Sequence, residues 1–308
     1  MRRTLGLVVA LLLALGVLAV RAHNDEGTRA ALLTPITVKR TTTTTSTTAP
    51  PTTTTAVPVT TTAPPPGPVV AAGDPDGLAV QLAAAIDTVR NPATAEPDLA
   101  RQAHTEQVAY YALLDHPDWQ PLVLAKLTPG QQAITNSNVH AGNELRLLAP
   151  KPRDKLPSGW AVDPPAPAAE LLAHYKEGEA ATSVPWQYLA AINLVETRMG
   201  RIHGLSSAGA QGPMQFMPET WARFGQGDIT NPHDAILAAA RYLKYNGAPQ
   251  TVDSAIWNYN RSWHYVEAVK TYARLMAENE RAFNGYYYWQ VYYRTVAGNQ
   301  LLPEGFRS

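Results

Sequence analysis

The chain of 308 residues contains no cysteine. It therefore has no disulfide, no thiolate metal site, no cysteine nucleophile and no N-terminal cysteine that could carry a lipid. The chain also has no net charge, because 25 Lys and Arg residues balance 25 Asp and Glu residues. A chain without net charge has no general attraction to nucleic acid or to an anionic membrane, so we expect no nucleic-acid partner.

Metal-binding patterns are also missing from the sequence. The 8 histidines include His104, His116 and His140, which are scattered and lack the spacing of paired ligands. No acidic calcium-binding loop is present. We therefore expect no metal site, and no feature of the sequence indicates a cofactor.

The first 22 residues have the pattern of an export signal. Arg2 and Arg3 precede residues 4–20, which are uncharged and almost wholly apolar. The small residue Ala22 is compatible with cleavage, whereas the apolar run also approaches the roughly 17–25 residues of a membrane span. The sequence is compatible both with a cleaved signal peptide and with a retained anchor in the cytoplasmic membrane. Either one predicts an exported protein of the cell envelope or the extracellular space.

Threonine and proline dominate residues 41–66. Such a segment has too few apolar side chains to offset the entropy of ordering, so we predict a disordered linker over residues 23–73. Its proline content favours an extended, semi-stiff stalk. The composition is also compatible with O-glycosylation.

Two helical regions are predicted after the linker. The first, residues 74–166, is an accessory region without a catalytic constellation, and its helices are predicted at 78–90, 98–114 and 129–148. The second, residues 167–308, has helices predicted at 168–177, 186–199, 218–224, 232–245, 251–259 and 262–278, with Ser183 and Asn231 as N-caps. Both regions indicate a mainly α fold.

An aromatic tail, residues 286–293, ends the second region and reads YYYWQVYY. Its rings could stack on sugar faces. The preferred interpretation is a β-strand whose aromatic side chains pack on the domain.

Glu196 is the most informative single residue. At helical spacing it shares a face with Leu189, Ile192 and Met199, which are all apolar. Burial on such a face raises the pKa of a carboxyl group and yields an acid that is protonated near neutral pH, as cleavage of a glycosidic bond requires. Periodicity alone nevertheless favours a partly buried structural Glu that pairs with Arg198 or Arg201 or extends its carboxyl group to the surface.

The loop that follows this helix, residues 206–215, is unusually polar and rich in glycine. Glycines allow the backbone to approach a ligand closely. Ser207 and Gln215 offer donors and acceptors that suit hydroxyl and N-acetyl groups. Alone, the loop is weak evidence for a sugar site.

The motifs taken in order resemble a known family. Glu196 in Val-Glu-Thr is followed by SAGAQGPMQFMPETW (residues 207–221) and by Asn-Tyr-Asn-Arg-Ser (residues 258–262). They resemble the lytic transglycosylase domain, which has a helix that ends in a catalytic Glu, a Gly-rich loop ending in M-Q-[hydrophobic]-M-P and a later Tyr-Asn pair. The resemblance covers residues 171–276. Pro213 in place of the common Leu resembles the membrane-bound murein transglycosylases.

The resemblance implies a lysozyme-like, mainly helical fold that acts on the glycan strands of peptidoglycan. Glu196 would be the single acid and base, cleaving the bond between N-acetylmuramic acid and N-acetylglucosamine with formation of a 1,6-anhydro end. Tyr259 and Asn260 would approach Glu196 and the muramoyl ring, with Tyr259 hydrogen-bonded to the carboxyl group. Ser207, Met214 and Gln215 would line the sugar groove.

Two alternatives to transglycosylation are open. A lysozyme-type muramidase would use water, with a second carboxylate from Glu219, Asp228, Asp234 or Asp253. Glu219, Asp234 and Asp253 fit better as acids in the first turn of a helix, where a negative charge is favourable. The other alternative is a non-catalytic module that binds peptidoglycan and acts as a scaffold.

Overall fold

A computed structural model describes residues 68–308. The export segment and residues 23–67 of the linker lie outside this range. The described residues are mostly helical, which confirms the predicted mainly α fold. The helices are α1 (Pro75–Arg90), α2 (Glu96–Asp115), α3 (Gln120–Leu124), α4 (Pro129–Leu148), α5 (Ala168–Thr182), α6 (Trp186–Thr197), α7 (Pro218–Phe224), α8 (Pro232–Tyr245), α9 (Val252–Tyr259), α10 (Trp263–Glu278) and α11 (Arg281–Tyr287). Within residues 68–308, no helix combines the length and the apolar character that a membrane span requires.

Local capping sets several of these helix starts. The Thr128 side chain accepts a hydrogen bond from the Gln131 amide, and the Gln131 side chain accepts one from the Thr128 amide, which is a capping box at the start of α4. The Asn231 side chain accepts from the Asp234 amide and caps α8 as predicted. The prediction for Ser183 is wrong. It ends α5 in a left-handed conformation, because α5 continues to Thr182, five residues beyond the predicted end.

α10 lies at the centre of the packing. It contacts α4, which comes from the accessory region, and α6, which carries Glu196. Apolar side chains from both regions, such as Leu145 of α4 and Val269 of α10, enter the same core cluster. The boundary at residue 166 stays a prediction, and the two sides of it share one core.

Two small antiparallel sheets complete the described structure. β1 (Ala161–Val162) pairs with β2 (Ile202–His203), and β3 (Val291–Thr295) pairs with β4 (Gly298–Leu302) in a hairpin. A second apolar cluster lies between them, with Trp160, Ile202 and Tyr293 among its members.

The predicted strand at 286–293 is wrong in its first half. Tyr286 and Tyr287 belong to α11, and the strand begins only at Val291. The side chains of Tyr286, Trp289 and Tyr293 are at most 3% exposed, so these rings pack into the protein. The interpretation that the aromatic tail packs on the domain agrees with this burial.

Candidate active site

Glu196 lies in the last turn of α6, and its side chain is 1% exposed. Every residue of α6 from Leu189 to the helix end is buried, so the helix has no solvent-facing side near Glu196. α6 ends at Thr197, because Arg198 and Met199 both adopt left-handed conformations, with φ of 57° and 63°. The prediction that Met199 shares the helical face of Glu196 is therefore wrong, although Met199 is buried.

The carboxyl group of Glu196 has one protein partner. The Tyr265 hydroxyl donates a hydrogen bond to Oε1 over 2.6 Å, and Oε2 has no partner among the described residues. Burial raises the pKa of Glu196 from 4.5 to about 8, against a smaller lowering by the Tyr265 hydrogen bond. Glu196 is therefore a neutral acid at neutral pH, with Oε2 available to donate a proton.

Neither nearby arginine neutralises Glu196. Arg198 lies with its guanidinium 5.6 Å from the centre of the Trp289 ring. Arg201 forms an ion pair with Glu304, with 3.4 Å between Nε and Oε1, and donates to the Tyr287 carbonyl. The interpretation of Glu196 as half of a structural ion pair is not supported by this geometry.

The tyrosine that contacts Glu196 differs from the expected one. Tyr259, at the end of α9, donates to the Met214 carbonyl over 2.6 Å instead. Tyr265, in the first turn of α10, takes the expected place beside Glu196. Tyr265 follows the Tyr-Asn pair closely in the sequence, which was the one signal for it. The short break between α9 and α10 decides which of the two tyrosine hydroxyls reaches the carboxyl group.

Ser206 shapes the first part of the loop. Its buried Oγ accepts hydrogen bonds from the amides of Ala208 and Ala210 over 3.2 and 2.9 Å. Ser207, the predicted sugar contact, is exposed at the tip of this turn. Two adjacent serines in the sequence give no sign of which one turns inward, so Ser206 was not predicted as part of the site.

The middle of the loop is fixed to α6 through Pro213. The Pro213 carbonyl accepts hydrogen bonds from Asn193 Nδ2 over 2.8 Å and from Thr197 Oγ1 over 2.6 Å. Gly212, just before it, has a φ of 72°, and a Cβ there would lie 1.9 Å from the Ile229 carbonyl oxygen. Only glycine fits this position, because the neighbouring backbone occupies the space of a side chain.

Met214 and Gln215 follow at the base of the loop. The Met214 side chain is fully buried in the core, so the part of this residue that faces Tyr259 is its carbonyl. Gln215 has a φ of 51° and donates from Nε2 to the Gly212 carbonyl. Its Oε1 is buried and has no partner in the described part of the chain.

Asn260 adds further unpaired groups next to Tyr259. Its side chain is 1% exposed, and neither Oδ1 nor Nδ2 has a hydrogen-bond partner among residues 68–308. Buried polar groups are nearly always paired in proteins, and an unpaired one costs about 1–3 kcal/mol. Asn260 follows Tyr259 and Gln215 follows Met214, so the hydrogen bond from Tyr259 to the Met214 carbonyl brings these two stretches of chain together. Glu196, Gln215 and Asn260 each keep a buried polar atom without a partner among the described residues, as expected of residues that receive a polar ligand.

The site is covered in this structure. A cavity of about 270 Å³ opens beside the loop, and Gly204, Gln211, Pro213 and Thr230 are among its lining residues, but Glu196 is not. A glycosidic oxygen reaches Glu196 only after the covering atoms move.

Three of the other acids considered for catalysis, Asp228, Asp234 and Asp253, accept hydrogen bonds within the protein. Asp253 accepts from the Lys270 ammonium group over 2.8 Å. Asp234 accepts from the Asp228 amide over 2.9 Å, at the start of α8. Glu219 is exposed in the first turn of α7.

Residues 174–281 match the family model described as the transglycosylase SLT domain. This range contains Glu196, the Gly-rich loop, Tyr259 and Tyr265. The chain contains a transglycosylase SLT domain. The resemblance predicted from the sequence motifs is confirmed for this part of the chain.

A curated relative agrees with the SLT domain. The membrane-bound lytic murein transglycosylase F of Thiobacillus denitrificans (strain ATCC 25259 / T1) is 35% identical over 74 residues. The match covers 24% of this chain and 16% of the relative, so this chain spans about a sixth of the length of that protein. No solved structure matches the chain. The two comparisons together support a lytic transglycosylase catalytic domain.

Proposed function

We propose that the chain is an exported peptidoglycan lytic transglycosylase. It cleaves the β-1,4 bond between N-acetylmuramic acid and N-acetylglucosamine and leaves a 1,6-anhydro muramoyl end. The observation that carries the proposal is the buried, neutral Glu196 with an unpaired Oε2. The unpaired buried atoms of Gln215 and Asn260 add polar groups that a sugar can satisfy. The SLT domain supports peptidoglycan as the substrate.

Glu196 acts first as an acid. Its proton passes from Oε2 to the glycosidic oxygen as the bond from that oxygen to muramoyl C1 breaks. A pKa of about 8 keeps this proton in place at neutral pH. The hydrogen bond from Tyr265 holds Oε1, so that Oε2 is the oxygen presented to the sugar.

Glu196 then acts as a base. Its carboxylate accepts the proton of the muramoyl 6-hydroxyl, and the oxygen of that hydroxyl forms the new bond to C1. The proton balance closes, because Glu196 ends protonated as it began, and no water is consumed. A second carboxylate nucleophile is unnecessary, in contrast to the usual retaining glycosidases.

The remaining site residues bind and position the sugar in this proposal. Gln215 Oε1 and the Asn260 amide pair with hydroxyl and N-acetyl groups, which satisfies their buried polar atoms. Ser207 contacts the glycan from the exposed tip of the loop. Met214 contributes through its carbonyl, which Tyr259 holds in place.

The domain organisation and the location are part of the same proposal. Residues 167–308 form the catalytic domain, and residues 74–166 support it through the contact between α4 and α10. The export segment and the Thr/Pro linker support a place in the cell envelope, with the N-terminal segment either cleaved or retained in the cytoplasmic membrane. The relative is named as membrane-bound, which is compatible with a retained anchor.

Digestion of purified peptidoglycan, followed by mass analysis of the fragments, tests the proposal. We expect anhydro-muropeptides from the wild type and none from Glu196→Gln, which should still bind the glycan. Hydrated reducing ends would instead establish a muramidase. A wild type that binds peptidoglycan without cleaving it would establish a scaffold.

A further inference from the structure

Three potential metal ligands, none of them among the candidate catalytic residues, meet in the SLT domain. His174 and Glu177 are three positions apart on α5 and so lie on one face of that helix. His233 is the second residue of α8, which packs against α5. The ligand atoms of the three side chains lie within 4.8 Å of one another. Spacing along the sequence hid this cluster, because His174 and His233 belong to different helices.

The geometry is close to that of a tetrahedral site. His233 Nε2 lies 3.1 Å from Glu177 Oε2, and the rings of His174 and His233 meet at 71° with their centres 4.8 Å apart. In a tetrahedral zinc site with bonds of about 2.1 Å, neighbouring ligand atoms are about 3.4 Å apart. His233 and Glu177 thus already have nearly this separation, and His174 reaches it by a side-chain movement on the order of 1 Å.

A carboxylate behind His233 orients its ring for metal binding. His233 Nδ1 lies 3.2 Å from Asp234 Oδ1, and Asp234 Oδ2 accepts from the Asp228 amide over 2.9 Å. With Nδ1 donating to Asp234, the proton between Nε2 and Glu177 is the one that a metal ion displaces. Most histidines that bind metals in proteins make this second hydrogen bond to a carboxylate, a carbonyl or water.

We propose that His174, Glu177 and His233 bind one Zn²⁺ ion, with water in the fourth position. Two imidazoles and one carboxylate suit a divalent transition metal, whereas Mg²⁺ and Ca²⁺ prefer oxygen ligands alone. The side chains are 17%, 54% and 39% exposed in that order, so the ion exchanges with solvent.

The ion joins α5 to the start of α8. The segment before α8 carries Ile229, whose carbonyl packs against Gly212 of the Gly-rich loop. Zinc therefore stabilises the support of that loop from its outer side. This role does not depend on the reaction that the domain catalyses.

Zinc titration of the purified full-length chain tests the site. The chain is prepared without a histidine tag, stripped with a chelator and titrated with Zn²⁺ by calorimetry, in the absence of glycan. We expect one equivalent to bind, and the affinity to fall at least tenfold in His174→Ala, His233→Ala and Glu177→Gln. His264→Ala is the matched control, because His264 is 47% exposed and also lies beside a carboxylate, 2.7 Å from Glu144.

Two further measurements guard against variants that simply misfold. Co²⁺ bound to the wild type should give the intense absorption of a tetrahedral site, and Glu177→Gln, which changes an exposed side chain, should lose that absorption. Zn²⁺ should raise the Tm of the wild type and of His264→Ala, but not that of His174→Ala, and Mg²⁺ should raise none of them. A wild type that binds no zinc, or site variants that bind zinc as tightly as the wild type, would overturn the proposal.

Discussion

Glu196 differs from a surface carboxylate in being 1% exposed and in having a single hydrogen-bond donor among the described residues. Its apolar neighbours in the sequence were enough to predict burial. They could not predict Tyr265 as its partner, because that contact depends on how α10 crosses α6. The unpaired state of Asn260 was equally hidden, since a sequence shows which polar groups exist and not which of them find partners in the fold.

Tyr265→Phe should change the pH dependence of cleavage. In the proposed mechanism activity requires protonated Glu196, so we expect the wild type to lose activity as pH rises through about 8. Removal of the Tyr265 hydroxyl removes a hydrogen bond that favours the carboxylate, so the pKa of Glu196 and the alkaline limb move upward. We also expect kcat to fall roughly tenfold, as for loss of one hydrogen bond worth about 1.5 kcal/mol.

Tyr259→Phe is the matched control for this change. Its hydroxyl bonds to the Met214 carbonyl, so the alkaline limb should stay in place. Measurement of the rate of release of muropeptides across pH compares the two variants. An equal shift in both would contradict the assignment of Tyr265 as the residue that positions Glu196.

Glu196→Gln should stabilise the protein at alkaline pH. The unfolded chain loses the Glu196 proton above 4.5, whereas the native protein holds it up to about 8. Between these values the native state binds more protons, so the stability of the wild type falls with rising pH by up to about 1.4 kcal/mol per unit. The variant lacks this group. Its advantage in free energy of unfolding should grow from about pH 5 to about pH 8, as measured by denaturant titration, and a constant difference would argue against a buried neutral acid.

At the scale of elements, the caps of α4 and α8 were predictable because Thr128 and Asn231 act on amides a few residues away. The end of α6 was not. Arg198 and Met199 adopt left-handed conformations without glycine, and no local pattern announces such a turn. The contact of Thr197 with Pro213 helps to hold the chain there, and it joins residues 16 positions apart.

Gly212→Ala tests how the Gly-rich loop is held. A methyl group would meet the Ile229 carbonyl oxygen at 1.9 Å, on a backbone with φ of 72°. We expect about 2–4 kcal/mol loss of stability from the overlap and the strain, and at least a tenfold loss of activity, since Gln215 follows directly. Calorimetry and a digestion assay measure the two effects.

Gly209→Ala separates the steric overlap of an added Cβ from the strain of a left-handed backbone. Gly209 also has a positive φ, of 88°, but a Cβ there meets no atom within 4 Å. The cost should be about 1 kcal/mol, from the left-handed backbone alone. Equal losses in both variants would mean that the Ile229 contact contributes little.

At the scale of the whole molecule, the sequence predicts a helix at 129–148 but not the helix that packs against it. The structure places α10 there, and α10 also carries Tyr265. Packing partners far apart in sequence have no local signature. The sequence therefore predicts an accessory region separate from the site, whereas in the structure α4 packs on α10, which carries the hydrogen-bond donor to Glu196.

Leu145→Ala should test whether residues 74–308 unfold as one unit. Leu145 is fully buried in α4, and its truncation should cost about 2–5 kcal/mol. Because α4 packs on α10, the Tm of the SLT domain should fall in a single transition. Leu147→Ala, on the same helix but 55% exposed, should change stability by less than about 0.5 kcal/mol. Two calorimetric transitions, with only one shifted by Leu145→Ala, would contradict the shared core.

The 1% exposure of Glu196 has a consequence for control of the reaction. If Glu196 is accessible only in a small, open fraction of the protein molecules, the apparent affinity for a glycan equals the affinity of the open form multiplied by that fraction. A short fragment with few contacts cannot compensate for this reduction, whereas a long strand gains contacts along the loop as it opens the site. Under the proposed function, such latency would favour cleavage of glycan strands long enough to contact the whole loop.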